Sequence, residues 1–236
     1  MHTIIVFDLD GTLCPVGREV LPEDAALIKE LEQSGFRLAL CSGKPTYYLC
    51  GFARQLGLRT PILIGENGCT FHFGTELPPV QNYCSPCDET IAETVAELKR
   101  RIISECGSRV WFQPNEVMLT PFPRDEKAFD DIEKVLEKSS DLLEGFNIYR
   151  HHDSFDITPR GIDKGTALKY LSVLLQKDRS EFIAVGDGEN DVPMFRFADI
   201  SISLHHRLDY RADHEFEQLR EALYFLKDLR QRENAL

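Results

Sequence analysis

No stretch of this 236-residue chain approaches the run of about 18 apolar residues that a membrane-spanning helix needs. Met1-His2-Thr3 carries no basic region, and the apolar run from Ile4 to Phe7 is too short for the hydrophobic part of a secretory signal, so a cytoplasmic protein is expected. Positive charge is in deficit: 27 Lys and Arg stand against 39 Asp and Glu, for a formal charge of −12. That balance argues against partnership with nucleic acid or an anionic membrane, and any anionic substrate must be held by local cations or a metal. Internal repeats and low-complexity tracts are missing too. With 42% hydrophobic and 28% charged residues, the composition excludes a disordered, collagenous or coiled-coil chain.

Disulfides and thiol chemistry are equally poorly supported. Seven cysteines is an odd number, and without an export signal they read as thiols. Cys84-Ser-Pro-Cys87 has no second pair to complete a zinc site. A redox pair wants a strand-to-helix setting in a thioredoxin-like unit, whereas this one precedes a long amphipathic helix in a Pro-containing linker, so it reads as structural or incidental. No cysteine has an Arg six positions on, as a cysteine-based phosphatase needs, and no Gly-x-x-x-x-Gly-Lys-Ser/Thr loop is present for nucleotide hydrolysis.

What is there is an alternation of apolar strand runs and helical patterns. Thr3 to Leu9, Phe36 to Cys41 and Pro61 to Ile64 read as strands, separated by helices over Pro22 to Ser34 and Thr46 to Leu56. Glu66-Asn67-Gly68 carries a strong turn signal. The rhythm breaks after Pro78 and Pro79. A helix over Asp88 to Cys106, with Asp88 as N-cap, precedes short strands at Val110 to Phe112 and Val117 to Leu119. A second helix over Asp125 to Leu143 precedes strands at Phe146 to Tyr149 and Ser154 to Ile157. The first pattern then resumes: helix Lys164 to Gln176, strand Phe182 to Val185, short helix Asn190 to Phe197, strand Ile200 to Leu204, and closing helix Phe216 to Arg230. The expected fold is α/β, a doubly wound parallel sheet of Rossmann-like type carrying an inserted α+β cap. The core comprises residues 1–81 and 159–236, and the cap residues 82–158.

In a parallel sheet, ligands gather at the carboxyl ends of the strands. The first strand runs into Asp8-Leu-Asp10-Gly-Thr12, the second into Ser42-Gly43-Lys44, and the strand from Phe182 into Gly186-Asp187-Gly-Glu-Asn190-Asp191. Asp8 and Asp10 face the same side if extended backbone continues through Leu9. Adjacent carboxylates repel and need a shared proton or a cation, and Asp187 and Asp191 bring two more acids. A few carboxylates completed by water and a phosphate ester make the ligand set that magnesium prefers. Beside a metal, Asp8 can stay ionised and attack phosphorus. Asp10 can protonate the leaving alcohol and later activate water. The Ser42 hydroxyl and Lys164 ammonium suit the equatorial phosphoryl oxygens. Taken singly, each motif has a plainer reading: Asp-Gly-Thr as a turn, Ser42 as a cap, Lys164 as a solvated cation, the acidic loop as a calcium loop. Their order, each beside an expected strand end or helix start, argues for one site.

Together with Asp163-Lys164-Gly165, these segments resemble the four motifs of the haloacid dehalogenase-like hydrolases, in order and rough spacing and over nearly the whole chain. The insert resembles the larger, C2-type cap of that superfamily. The resemblance suggests Cof-type sugar phosphatases, sucrose-phosphate, mannosyl-phosphoglycerate and phosphoglycolate phosphatases, and phosphomannomutases as neighbours. It implies Mg2+-dependent hydrolysis of a small-molecule phosphate ester, a sugar phosphate or a phospho-acid such as phosphoglycolate, through an aspartyl phosphate. It implies that Asp8 is the nucleophile and Asp10 the general acid/base. Ser42 and Lys164 would bind phosphate, with Gly43 and Lys44 in the same substrate-binding segment. Asp8, the backbone carbonyl of Asp10, and Asp187 would hold magnesium, with Asp191 ligating directly or through water. Asn190 would help hold the cluster, and Asn67 would face the substrate pocket. The cap would close over the core and select the leaving group. The chain departs from the family after the last core strand, where Ser201-Ile-Ser-Leu-His205-His206 replaces a Gly-Asn pair, and at Ala212-Asp213-His214, where a Thr-containing stretch is usual.

Two other readings stand beside this one. A phosphomutase would use the same core chemistry, and a signalling module would be phosphorylated on Asp without turnover. Receiver modules of the second kind are far shorter and lack a second acidic loop. His151-His152-Asp153 reads as a solvated or substrate-facing cap loop, His205 and His206 as a surface loop near the mouth, and Trp111 as a packing anchor rather than a sugar platform.

Overall fold

The computed structural model describes residues 3–79, 81–84, 89–205 and 208–235. The chain divides into two compact units: Met1–Tyr83 with Asp163–Leu236, and Cys84–Ile162.

The first unit opens with β1 (Ile4–Phe7), α1 (Pro22–Gln33), β2 (Arg37–Cys41), α2 (Thr46–Leu56), β3 (Ile62–Gly65), β4 (Thr70–Phe73) and β5 (Gln81–Cys84). The inserted unit contains α3 (Glu89–Cys106), β6 (Val110–Phe112), β7 (Pro121–Pro123), α4 (Glu126–Glu137), β8 (Phe146–Arg150) and β9 (Phe155–Pro159). The first unit resumes with α5 (Lys164–Leu175), β10 (Phe182–Gly186), α6 (Val192–Phe197), β11 (Ile200–Leu204), β12 (His214–Phe216) and α7 (Leu219–Asn234).

The sheet runs β12-β11-β10-β1-β2-β3-β4-β5. Neighbours from β12 through β3 are parallel, and β4 returns antiparallel to β3. Its central strands are apolar throughout because both faces are covered. Ile5 and Phe7 pack with Leu27, Leu31, Leu49 and Leu223 of α1, α2 and α7. Their neighbours Ile4 and Val6 pack on the opposite face with Leu168, Leu171, Met194 and Phe195 of α5 and α6. The period-two alternation of a strand thus serves two cores at once.

In the inserted unit, α3 and α4 bury Leu98, Ile102, Ile132 and Val135 with Phe146, Phe155 and Ile157. β6 pairs with β7, and β8 with β9, both antiparallel.

Several element boundaries differ from the sequence-based expectation. The partner of β6 is Pro121–Pro123, not Val117 to Leu119; Leu119 makes only a single bridge to Ile157. Proline has no amide to donate, which hid this strand, yet Phe122 between the two prolines sits opposite Trp111 and supplies the ladder contact. Helix α4 stops at Glu137 rather than Leu143, ahead of Ser139-Ser140, whose hydroxyls compete with helical backbone bonding. Phe216 does not open the last helix. It pairs with Leu204 in β12, and Gln218 and Glu221 form the capping box that starts α7. The Asn-Gly turn lies where expected, with Glu66 and Asn67 both at φ 55°, but it also launches β4, which the sequence did not announce. Asp88, Cys87 and His206 lie outside the described residues, as does the side chain of Cys84.

Candidate active site

Parallel register brings three strand ends together: Phe7 lies opposite Leu40 on one side and Val185 on the other. One step further along, the chain reaches Asp8, Cys41 and Gly186, and the polar loops begin. After Phe7 the backbone does not stay extended. The amides of Leu13 and Cys14 donate to the Leu9 carbonyl at 3.0 and 3.3 Å, and the Gly11 amide donates to the Cys14 carbonyl at 2.8 Å. This tight turn, not strand alternation, decides where Asp8 and Asp10 point.

Asp8 turns inward and is buried. Its Oδ1 accepts from Lys164 Nζ at 2.5 Å, and the same ammonium donates to Asp191 Oδ1 at 2.6 Å. Asp191 Oδ2 accepts the backbone amides of Asp187 and Gly188, both at 2.9 Å, so Asp191 shapes the acidic loop as well as contributing charge. The Thr12 hydroxyl donates to Asp187 Oδ1 at 2.7 Å. Carboxylate oxygens of Asp8, Asp187 and Asp191 all lie within 4.8 Å of one another.

Lys164 occupies the first turn of α5, where the helix dipole disfavours a cation. Asp163 caps that helix, accepting from the Thr166 amide at 2.7 Å. Gly165 permits the close approach of α5 to α6, since a Cβ there would overlap the Pro193 carbonyl. Gly11, at φ 95°, lies against Asp187, whose carboxylate fills the space a Cβ would need.

Asp10 points elsewhere. Its carboxylate is partly exposed and pairs with Lys44 Nζ at 3.3 Å, outside the three-carboxylate cluster. Ser42 is buried, and its Oγ accepts the Lys44 amide at 3.2 Å. The Asn67 amide donates to the Ser42 carbonyl at 2.9 Å and the Glu66 amide to the Lys44 carbonyl at 3.0 Å, which ties the β2 and β3 loops together. Asn190 is exposed and makes no hydrogen bond to the cluster among the described residues; Asp191 holds the loop instead. Thr12 and His205, absent from the sequence-based site, belong to its framework: His205 Nε2 lies 3.1 Å from the Gly11 carbonyl. Thr12 was legible inside its motif, whereas His205, read from the sequence as a surface loop near the mouth, owes its place to this contact across 194 positions.

Burial governs the electrostatics. It pushes the Asp8 carboxyl up to about 7, with Lys164 opposing the rise and Asp191 adding to it. Burial also raises the Asp187 carboxyl, partly offset by the Thr12 hydroxyl. For Lys164 burial works against the ammonium, but Asp191 and Asp8 outweigh it and hold its pKa above the ordinary value. The neighbouring Cys41 thiol is pushed by burial up to about 12, which leaves it inert as a nucleophile.

The sequence profile of a family described as haloacid dehalogenase-like hydrolase matches residues 5–115 and 112–209. The chain belongs to that family. Among relatives of this hydrolase, a phosphoglycolate phosphatase of Metallosphaera sedula is 30% identical over 214 residues, covering 86% of each chain. A mannosyl-3-phosphoglycerate phosphatase of Pyrococcus furiosus is 28% identical over 222 residues, covering 85% of this chain and 90% of the relative. The crystal structure of a haloacid dehalogenase-like hydrolase from Bacteroides thetaiotaomicron has the same fold, with a TM-score of 0.76 at 21% identity, over 97% of this chain and all of the other.

The site's residues fit a divalent cation. Three clustered carboxylates against one ammonium leave two negative charges, and burial makes that excess costly. The donors are hard oxygens, and the second oxygens of Asp8 and Asp187 have no hydrogen-bond donor among the described residues. No helix among the described residues is long and apolar enough to cross a membrane.

Proposed function

We propose that this chain, a phosphoric monoester hydrolase, acts with magnesium on a small phosphorylated metabolite through an aspartyl phosphate on Asp8. The observation that carries the reading is the buried Lys164 ammonium bridging Asp8 and Asp191 beside Asp187. Asp8 and Asp187 would hold the ion with the Asp10 backbone carbonyl. Both Asp191 oxygens already accept hydrogen bonds, which favours contact through water. When bound, the cation supplies charge that keeps Asp8 ionised and offsets the negative phosphoryl oxygens.

The chain's own residues divide the remaining work. Lys164 holds Asp8 in place and contributes positive charge to the phosphoryl group, with the Ser42 hydroxyl as a further donor. An Asp8 oxygen forms a bond to phosphorus as the bond to the leaving oxygen breaks. Protonated Asp10 donates its proton to that oxygen, so the alcohol departs neutral. The resulting Asp10 carboxylate takes a proton from water, whose oxygen attacks phosphorus. The bond to Asp8 breaks, inorganic phosphate is freed, and both carboxyls return to their starting states. Partial exposure of Asp10 suits this role, because it must meet both the leaving group and water. Lys44 Nζ lies 3.3 Å from its carboxylate.

A sugar phosphate or a small phospho-acid is the substrate class we favour, supported by the phosphoglycolate and mannosyl-3-phosphoglycerate phosphatases among the relatives. We infer that the inserted unit, Cys84–Ile162, selects the leaving group.

The test is phosphate release from a panel of sugar phosphates, phosphoglycolate and an aryl phosphate. It is run with magnesium, with chelator, and with Asp8→Asn. Metal-dependent release that Asp8→Asn abolishes is expected. Release unchanged by Asp8→Asn would overturn the mechanism, and isomerised ester without free phosphate would point to a mutase.

A further inference from the structure

His205 closes β11 with an unusual backbone: its φ of 68° lies in the left-handed region, which side chains with a Cβ rarely adopt. Two bonds hold it there. Its amide donates to the Phe216 carbonyl of β12 at 2.9 Å, and its ring Nε2 lies 3.1 Å from the Gly11 carbonyl. A carbonyl can only accept, so Nε2 carries the proton and donates. Gly11 in turn lies against the Asp187 carboxylate, and the next residue, Thr12, donates to Asp187 Oδ1 at 2.7 Å. A continuous set of contacts therefore runs from β12 through His205 and the Gly11-Thr12 turn to one of the three clustered carboxylates.

We propose that His205 is a positioning residue: by holding the Gly11 carbonyl it fixes the turn that aims Asp187. Strain at a residue held on both sides is the pattern expected where the surrounding structure demands one conformation. The effect on a bound cation rests on the reading given under Proposed function; the effect on the turn does not.

Two variants separate these roles. His205→Gly relieves the left-handed backbone but removes the donor. His205→Gln places an amide nitrogen near the position of Nε2 and keeps it. In His205→Gly, hydrogen exchange at the amides of Gly11, Leu13 and Cys14 should quicken about tenfold, the scale of one lost hydrogen bond, while β1 and β10 keep their protection. His205→Gln should stay near the parent. Calorimetric titration with magnesium should show affinity weakened roughly 10- to 100-fold in His205→Gly, as for loss of a residue supporting a ligand, with kcat at saturating magnesium little changed. Unchanged exchange in His205→Gly, or equal loss in both variants, would overturn the proposal. If the parent protein binds no magnesium, the function proposed above fails, and the exchange measurement still decides the role of His205.

Discussion

Lys164 Nζ stands 2.5 Å from Asp8 Oδ1 and is 1% exposed, so the cation is almost wholly removed from water and held by the carboxylate it orients. Its second bond, to Asp191, joins the carboxylate that follows β1 to the acidic loop after β10. Removing it with Lys164→Met leaves these buried acids without their counter-charge. The expected loss is about 3–5 kcal/mol in urea unfolding without divalent cations near pH 8. The deficit should shrink near pH 5, where Asp8 takes up a proton. Equal stability of variant and parent at both pH values would contradict this account.

Asp8 itself behaves in the reverse sense to an ordinary surface carboxylate. Its folded-state pKa is raised from 3.8 to about 7, so its contribution to stability is fully present below about 3.8 and is lost as pH rises through about 7. A cation must displace the proton that Asp8 holds below that range. Apparent magnesium affinity should therefore climb with pH, by at most about tenfold per unit, and level off above about 7. Calorimetry in buffers of different ionisation enthalpy would reveal the released proton. Asp8→Asn should flatten the slope, leaving only the smaller dependence that comes from Asp187.

Gly11 and Gly17 both have positive φ, 95° and 70°, but only Gly11 faces a neighbour that a Cβ would strike. Gly17→Ala should cost only backbone strain, about 1 kcal/mol, and leave turnover intact. Gly11→Ala should cost more, about 2–3 kcal/mol, and also displace Asp187, so that phosphate release falls at subsaturating magnesium. Thermal unfolding and a magnesium titration of activity would test the pair. Identical behaviour would argue against close packing on Asp187.

Away from the site, Asp213 joins the loop before β12 to β11. Its Oδ2 accepts the Ser201 hydroxyl at 2.6 Å and the Ser201 amide at 2.8 Å. Those bonds, the hydroxyl foremost, hold its carboxyl below the usual 3.8. The associated stability is present above about 3.8 and lost as pH falls through the lower folded value. Carbon-detected NMR titration should show the depressed midpoint, with a return towards 3.8 in Ser201→Ala. A midpoint indifferent to the substitution would refute the assignment.

Much of the core was legible because burial leaves a local mark. β1 and β10 are apolar runs packed on both faces, β2 is largely apolar, and each gives way to polar or glycine residues where the sheet opens, while β11 alternates Ile and Leu with Ser201 and Ser203. The Asn-Gly turn and the Pro22 start of α1 are likewise properties of short segments. β7 was hidden by its prolines. The start of α7 was misread because Phe216 fits a helical spacing while its backbone pairs with β11.

The linear chain determined which residue types stand at the strand ends, since apolar periodicity and turn chemistry act over a few residues. Which of them meet was decided only by the tertiary structure. Lys164 reaches Asp8 across 156 positions, and Thr12 reaches Asp187 across 175, because β10 lies beside β1 in register. Asp10, two residues from Asp8, turns away to Lys44 because the loop bonds at Leu9 and Gly11 break the strand's alternation. His205 gains its place from a contact 194 positions away. Periodicity reports burial, while sheet order and loop hydrogen bonding set the distances between charges, and those distances are what make a catalytic site.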